Sequence, residues 1–208
     1  MVHIRAVEVG PIATNCYIVH NDAGKAFIVD AGYEVERILA ALRNLELTHI
    51  LITHAHFDHI GGVAKLKEAT GATVLIHRIE ADWLTDPQLN LSALRSEFTP
   101  WPIAGPSADE LLEDGQTLVL LGERIEVRHT PGHSPGHVSY VMGDVVFGGD
   151  ALFYGSIGRT DLPGGDHRTL LRSIREKLLT LPPGTTVLPG HGPPTTIGAE
   201  KESNPFLV

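Results

Sequence analysis

The sequence contains a single cysteine, Cys16, in 208 residues. No internal disulfide can form, and the thiol is expected to be a buried structural side chain rather than a nucleophile. Basic residues are also scarce: 16 Lys and Arg stand against 25 Asp and Glu, a formal charge of -9. Such a chain lacks the positive field behind nonspecific nucleic-acid binding and adhesion to anionic membranes, so a small-molecule partner is expected. No window approaches the ~20 apolar residues of a membrane span. The opening "MVHIRAVEVG" lacks a basic leader followed by an apolar core, and a cytoplasmic location is expected. Neither a linker, a charge block nor a close internal repeat divides the chain. With 42% apolar and 20% charged residues, it suits one globular domain, 1–208, with a sizeable core.

Strand and helix patterns alternate along that domain. "HIRAVEV", "CYIV" and "KAFIVDAG" read as strands, and "YEVERILAALRNLE" places Val35, Ile38, Leu39 and Leu42 at helical spacing. "THILIT" is a buried strand, "DHIGGVAKLKEATG" a helix stopping at Gly71, and "ATVLIH" a further strand. Residues 84–115 have little periodicity and several prolines, which predicts a long substrate-facing excursion; Phe98 and Trp101 could supply an apolar wall there. Next come "TLVLLG", "RIEVRHT", "HVSYVMG" and "VVFGGD", an antiparallel succession of short strands. "HRTLLRSIREKLLTL" is an amphipathic helix and "TTVLPGHG" a closing strand. Each half gives strands and then helix, so two packed sheets with helices outside are expected.

Polar residues collect where these strands end. His54, His56, Asp58 and His59 follow "ILIT"; His133 follows "EVRHTPG"; Asp150 ends "VVFGGD"; His191 ends "TVLPGH". Each meets a Gly- or Pro-shaped turn, and ligands in layered α/β folds gather at one carboxyl edge. Five imidazoles and two carboxylates suit zinc, iron or manganese. In "HAHFDH" an extended stretch throws His54 and His56 to one side. A turn into helix then aims Asp58 and His59 elsewhere, so one segment can begin two metal sites. At this composition His-x-His-x-Asp-His should arise by chance in roughly 2 of 1,000 chains. Asp30 could orient a ligand histidine or merely cap its turn. His137 suits packing or hydrogen bonding.

"THAHFDHIGG", "TPGHSPGHVSY", "FGGDALF" and "LPGHGP", in this order, resemble the metallo-β-lactamase fold over essentially the whole chain. "TNCYIV", "VDAG" and "GSIGRTDLPGGD" are similar to its glyoxalase II-like (hydroxyacylglutathione hydrolase-like) branch. The resemblance implies an α/β fold, a four-layer αββα sandwich of two mixed sheets with helices on both outer faces. It also implies two divalent ions per chain, zinc and/or iron, with manganese an option. By position, His54, His56 and His133 match one metal site, Asp58, His59 and His191 the other, and Asp150 bridges them.

A metal pair of this kind lowers the pKa of bound water to ~7, making hydroxide available as nucleophile. With that hydroxide, Asp58 and Asp150 are the expected catalytic groups. A thiolate leaving group needs little protonation, since its reference pKa is ~8.5. The implied activity is therefore hydrolysis of small thioesters of the S-2-hydroxyacylglutathione type, with Arg159 the cation for an anionic substrate. A mononuclear-iron persulfide dioxygenase and a metal-stabilised binding protein are the alternatives. Classical glyoxalase II carries a C-terminal helical domain and a tyrosine after its last histidine. Here only residues 192–208 follow His191 and the sequence reads "HGPPTT", so weakened glutathione recognition is expected.

Overall fold

The apolar run Ala26–Val29 is buried at every residue, as an interior strand covered on both faces requires. The computed structural model describes residues 1–95, 97–99 and 101–208, so Ser96 and Pro100 of the predicted excursion lie outside the described residues. The chain folds as two compact units, Met1–Leu111 and Leu112–Val208.

In the first unit that interior strand is β3 (Lys25–Val29), third in a mixed sheet. The sheet order is β1 (Val2–Val9), β2 (Thr14–Asn21), β3, β4 (Glu46–Leu51), β5 (Thr73–His77) and β6 (Glu110–Leu112). β1, β2 and β3 pair antiparallel; β3, β4 and β5 pair parallel. Parallel neighbours need crossovers. The first is α1 (Val35–Ala41), shorter than the predicted 33–46 because Glu34 is left-handed at φ 57° and Glu46 already belongs to β4.

The predicted helix over 58–71 is two helices, α2 (Phe57–Ile60) and α3 (Val63–Thr70), separated at Gly61–Gly62. Close packing explains the glycines: a Cβ at Gly62 would sit 2.3 Å from the Gly32 carbonyl oxygen. α3 stops where predicted, with Gly71 left-handed and its N–H bonded to the Lys67 carbonyl. The excursion is less irregular than its composition suggests, containing a 3-10 turn at Ser92–Leu94 as well as β6.

The second unit opens with the predicted antiparallel succession β7 (Thr117–Leu120), β8 (Glu123–His129), β9 (Val138–Met142) and β10 (Val145–Gly149). A small hairpin follows, β11 (Leu152–Phe153) with β12 (Ser156–Ile157). Helix α4 (His167–Ser173) is capped by the Asp166 carboxylate, which accepts the Thr169 N–H at 2.7 Å. It runs on as a π-helical turn, Ile174–Leu178. Leu170, Ile174 and Leu178 face a core containing Val146, Leu152 and Val187.

This crossover delivers β13 (Thr186–Pro189) parallel to β10. β14 (Thr195–Thr196) and α5 (Ile197–Ser203) complete the unit. Both fall outside the predicted elements; Thr196 caps α5 by accepting the Ala199 N–H, but Gly198 in its first turn hides the helical pattern. No helix among the described residues is long and apolar enough to cross a membrane.

Cys16 is fully buried in β2, and desolvation, followed by the charge of Asp30, pushes its thiol pKa well up. In the unfolded chain the thiol ionises near ~8.5. Above that pH the unfolded state releases a proton that the folded state keeps, so this group's contribution falls as pH rises and is constant below it. Wild type is expected to lose about 2 kcal/mol more than Cys16→Ala between pH 8 and 10. Urea midpoints of the two proteins across that range measure the difference; parallel pH profiles would refute it.

Candidate metal centre

β3 ends in Val29 and the chain turns at Asp30, a non-glycine residue held left-handed at φ 58°. That conformation is costly and persists where surrounding contacts enforce it. The contacts lie on the loop after β4. One oxygen of Asp30 accepts the Thr53 backbone N–H at 2.8 Å. The other accepts the Thr53 hydroxyl at 2.9 Å and pairs with His59 Nδ1 at 2.8 Å. With the Thr53 proton directed to Asp30, the Thr53 oxygen is left to accept from His54 Nδ1 at 3.0 Å. This network makes Nδ1 the donor nitrogen of both imidazoles, the arrangement in which Nε2 serves as a metal ligand. Asp30 therefore orients the His59 ring, one of the two roles its position suggested.

The stretch between the histidines is fixed independently. Ala55 N–H donates to the fully buried Glu80 carboxylate at 2.7 Å, and Phe57 N–H donates to the Asn90 carbonyl at 3.0 Å. Asn90 in turn donates its side-chain amide to the Trp83 and Ile103 carbonyls, both at 2.9 Å. The excursion is thus anchored to the histidine segment. Asp58 Oδ2 accepts the Thr14 hydroxyl at 2.9 Å and lies 3.1 Å from His59 Nε2. His54, His56, Asp58 and His59 are all buried, and donor atoms of His54 and His56, and of His54 and His59, lie within 4.8 Å.

The second unit brings His133, Asp150 and His191 together. Asp150 Oδ2 lies 3.6 Å from His133 Nε2 and 3.5 Å from His191 Nε2, so one carboxylate oxygen stands between two imidazoles. His133 Nδ1 donates to the Arg159 carbonyl at 2.8 Å, which again presents Nε2. The strand–loop reversal at Gly158 makes this possible: a Cβ there would meet the Asp150 carbonyl oxygen at 1.9 Å. The Arg159 guanidinium itself is engaged by Asp161 through two contacts of 2.7 Å.

His137 holds the carboxylate in place. Its Nε2 accepts the Asp150 N–H at 2.9 Å, so the ring is the neutral Nδ1–H tautomer, donating to Thr130 Oγ1 at 2.9 Å. Thr130 contacts Ser139 at 3.0 Å, and the Ser139 hydroxyl reaches the Gly148 carbonyl at 3.3 Å.

These separations suit metal ligation. Two donors on one tetrahedral ion, each ~2.1 Å from it, are about 3.4 Å apart; the three Asp–His contacts span 3.1–3.6 Å. The donor set is imidazole and carboxylate, with each outer nitrogen so far assigned hydrogen-bonded to protein, and it fits a divalent transition metal. Glu80, Asn90 and Thr14 were not singled out in the sequence. The available signal was an acidic residue soon after a strand that follows the histidine motif, too weak to separate from a solvated turn. Trp101 is exposed, and Phe98 lines a cleft with Tyr33.

Mixed α/β sheets whose strand ends carry histidines and aspartates at co-ligand separations define a metallohydrolase. The chain belongs to the metallo-β-lactamase superfamily, whose profile matches residues 9–191. It is 39% identical over 215 residues to the hydroxyacylglutathione hydrolase GloC of Haemophilus influenzae, covering 99% of this chain and 98% of that one. Among solved structures it is similar to the B3 metallo-β-lactamase BLEG-1, with 46% identity, a TM-score of 0.94, and coverage of 99% and 100% of the two chains. It is also similar to TTHA1623 in a di-iron-bound form, at 42% identity and a TM-score of 0.86, covering 98% and 100%. These likenesses bear out the α/β fold with two mixed sheets and the metal-dependent hydrolase class.

Asp30→Asn replaces a two-oxygen acceptor with a group that must turn a donor toward Thr53 or His59. Metal affinity is expected to fall 10–100-fold with the fold retained, the size of effect usual for outer partners of ligand histidines. Competition against a calibrated chelator, with circular dichroism as the control, measures both; unchanged affinity would remove Asp30 from this role.

Proposed function

We propose that this protein hydrolyses small thioesters of the S-2-hydroxyacylglutathione type, as one 1–208 hydrolase domain. His54, His56 and His133 hold one divalent ion, Asp58, His59 and His191 a second, and Asp150 bridges them. The identity to the Haemophilus hydroxyacylglutathione hydrolase carries this reading, because it extends over 98% of that enzyme and leaves no large segment of it unmatched. The di-iron form of TTHA1623 supports a two-ion centre and iron as one occupant.

When bound, such ions would supply an acidified water and a positive charge beside the carbonyl oxygen. The protein's own groups prepare the site. Asp30 fixes His59 directly and His54 through Thr53, keeping both rings oriented with Nδ1 as the donor. His137 fixes the backbone at Asp150, so the bridging carboxylate is positioned by its own main chain as well as by its side-chain contacts. Such pre-set ligands avoid reorganisation during the reaction. A thiolate leaves without prior protonation, which suits this donor-rich, acid-poor set of side chains.

The likeness to a B3 metallo-β-lactamase favours β-lactams as a second substrate class. A lactam nitrogen is a far more basic leaving group than a thiolate and requires a proton in the course of departure. The two readings therefore separate in one assay. Metal-loaded protein is expected to turn over S-lactoylglutathione at least 100-fold faster, in kcat/KM, than benzylpenicillin or a cephalosporin, and to lose the activity on chelation. The reverse order would establish the lactamase reading, and oxygen consumption on glutathione persulfide without thioester turnover would replace both.

Asp150→Asn should lower metal content and thioester activity together while the outer histidines retain one ion. Elemental analysis beside kinetics checks this; two ions and full turnover in the variant would exclude the bridging role.

A further inference from the structure

The first unit carries an open cleft of about 440 Å³ lined by Gly10, Pro11, Tyr33, Glu34 and Phe98. Three of its walls are tied to the histidine segment by separate contacts. Pro11 lies on the β1–β2 connection that leads to Thr14, whose hydroxyl donates to Asp58. Tyr33 packs on Gly61, where a Cβ would come within 2.8 Å of the ring. Phe98 belongs to the excursion anchored at Phe57 through Asn90, and the neighbouring Thr99 hydroxyl ties it back to the Ser92 carbonyl at 3.0 Å. The cleft therefore opens beside the ligand-bearing loop.

We infer that this cleft receives an apolar acyl chain, so that the preferred thioesters carry hydrocarbon substituents on the carbonyl. The inference rests on the thioesterase reading above. A thioester has two arms, and charge decides between them. Glu34 lines the cleft, where its carboxylate accepts the Gly10 N–H at 2.8 Å and pairs with Arg37 at 3.0 Å. The Gly10 N–H, helped by Arg37, holds its carboxyl below the ordinary range, so it is charged at neutral pH. The Arg37 cation beside it is already paired with Glu34, so the two carboxylates of glutathione find no uncommitted positive charge among the described residues that line the cleft. A hydrocarbon chain meets the Pro11 ring, the Tyr33 face and Phe98, the last still 38% exposed and able to lose that area to a ligand. Fully burying one methylene is worth about fourfold in affinity.

The experiment compares acetyl, butanoyl and hexanoyl thioesters of glutathione on the metal-loaded full chain. The hexanoyl-to-acetyl ratio of kcat/KM is expected to exceed about tenfold. In Phe98→Ala it should fall below about threefold, and Phe98→Leu should restore most of it. A second measurement does not depend on turnover. S-(2-oxoheptyl)glutathione places a methylene between sulfur and carbonyl and cannot be hydrolysed as a thioester. Its pentyl protons are expected to show nuclear Overhauser contacts to the Tyr33 and Phe98 rings. Thioester turnover with no dependence on chain length, and no such contacts, would overturn the cleft while leaving the hydrolase reading intact. Contacts from glutathione protons instead would assign the cleft to the thiol arm and overturn the inference. Failure to hydrolyse any thioester would sink the hydrolase reading, and the ring contacts alone would then decide the cleft.

Discussion

The Asp30 carboxylate is the constraint on which the first half of the site depends. Its two oxygens receive the Thr53 N–H, the Thr53 hydroxyl and His59 Nδ1, and the last two make Nδ1 the donor nitrogen of His54 and His59 together. This arrangement needs the carboxyl group to leave β3 sideways, which the left-handed φ of 58° provides. Glycine would relieve that strain and remove the group that causes it. The neighbouring backbone is committed as well: Ala31 N–H bonds to the His59 carbonyl at 2.8 Å and Gly62 N–H to the Ala31 carbonyl at 2.7 Å. A Cβ at Gly32 would strike the Asp58 carbonyl oxygen at 2.5 Å, so the "DAG" turn and the "HAHFDHIGG" loop pack main chain against main chain. Strain at Asp30 and rigidity at the histidines are two sides of one contact.

The second half solves the same problem by a different route. A carboxylate there is the ligand candidate, and a histidine is the orienting group. His137 accepts from the Asp150 N–H and discharges its own proton into Thr130, whose hydroxyl continues to Ser139 and then to the Gly148 carbonyl. Because the chain ends on an acceptor, each hydroxyl has one direction in which to donate. A fully satisfied buried network of this kind is stiff, since reversing any member strands a buried polar group. The main chain at Asp150 is thus fixed before any ligand arrives.

The legible part of the site was the set of groups whose chemistry is local in sequence. "HAHFDH" compresses four donors into six residues, and the strand-ending positions of His133, Asp150 and His191 are readable from hydrophobic patterning. What escaped were residues that act through a single long-range hydrogen bond. Glu80 supports Ala55 from 25 positions away, Thr14 supports Asp58 from 44, and nothing in the composition of either neighbourhood marks the bond. Secondary structure failed for a related reason. The helix predicted through Gly61–Gly62 has continuous periodicity, but contact with the Gly32 turn interrupts it. The π-helical turn after Ser173 likewise satisfies a core that only the folded chain defines. Arg159 shows a contribution that sequence reading does not separate: its contact with His133 comes from its backbone carbonyl, while its guanidinium pairs with Asp161.

Burial of so much negative charge explains why an acidic protein builds its site from imidazoles. Asp30, Asp58, Glu80 and Asp150 are all buried, each at a cost that only hydrogen bonds or cations offset. Asp30 and Glu80 receive backbone N–H groups, and these with hydroxyl and imidazole donors stabilise them without any ion. Asp58 and Asp150 differ. Asp58 Oδ2 accepts the Thr14 hydroxyl, and imidazole Nε2 atoms lie 3.1–3.6 Å from the Oδ2 atoms of Asp58 and Asp150. In both His59 and His133 the other ring nitrogen, Nδ1, is committed to Asp30 or to the Arg159 carbonyl. A lone pair facing a carboxylate oxygen is repulsive, and a cation between them, whether a proton or a metal ion, reverses the sign. The outer hydrogen bonds therefore do more than hold the rings still: by engaging Nδ1 they leave Nε2 as the nitrogen beside the carboxylates, a donor set that a divalent ion would stabilise.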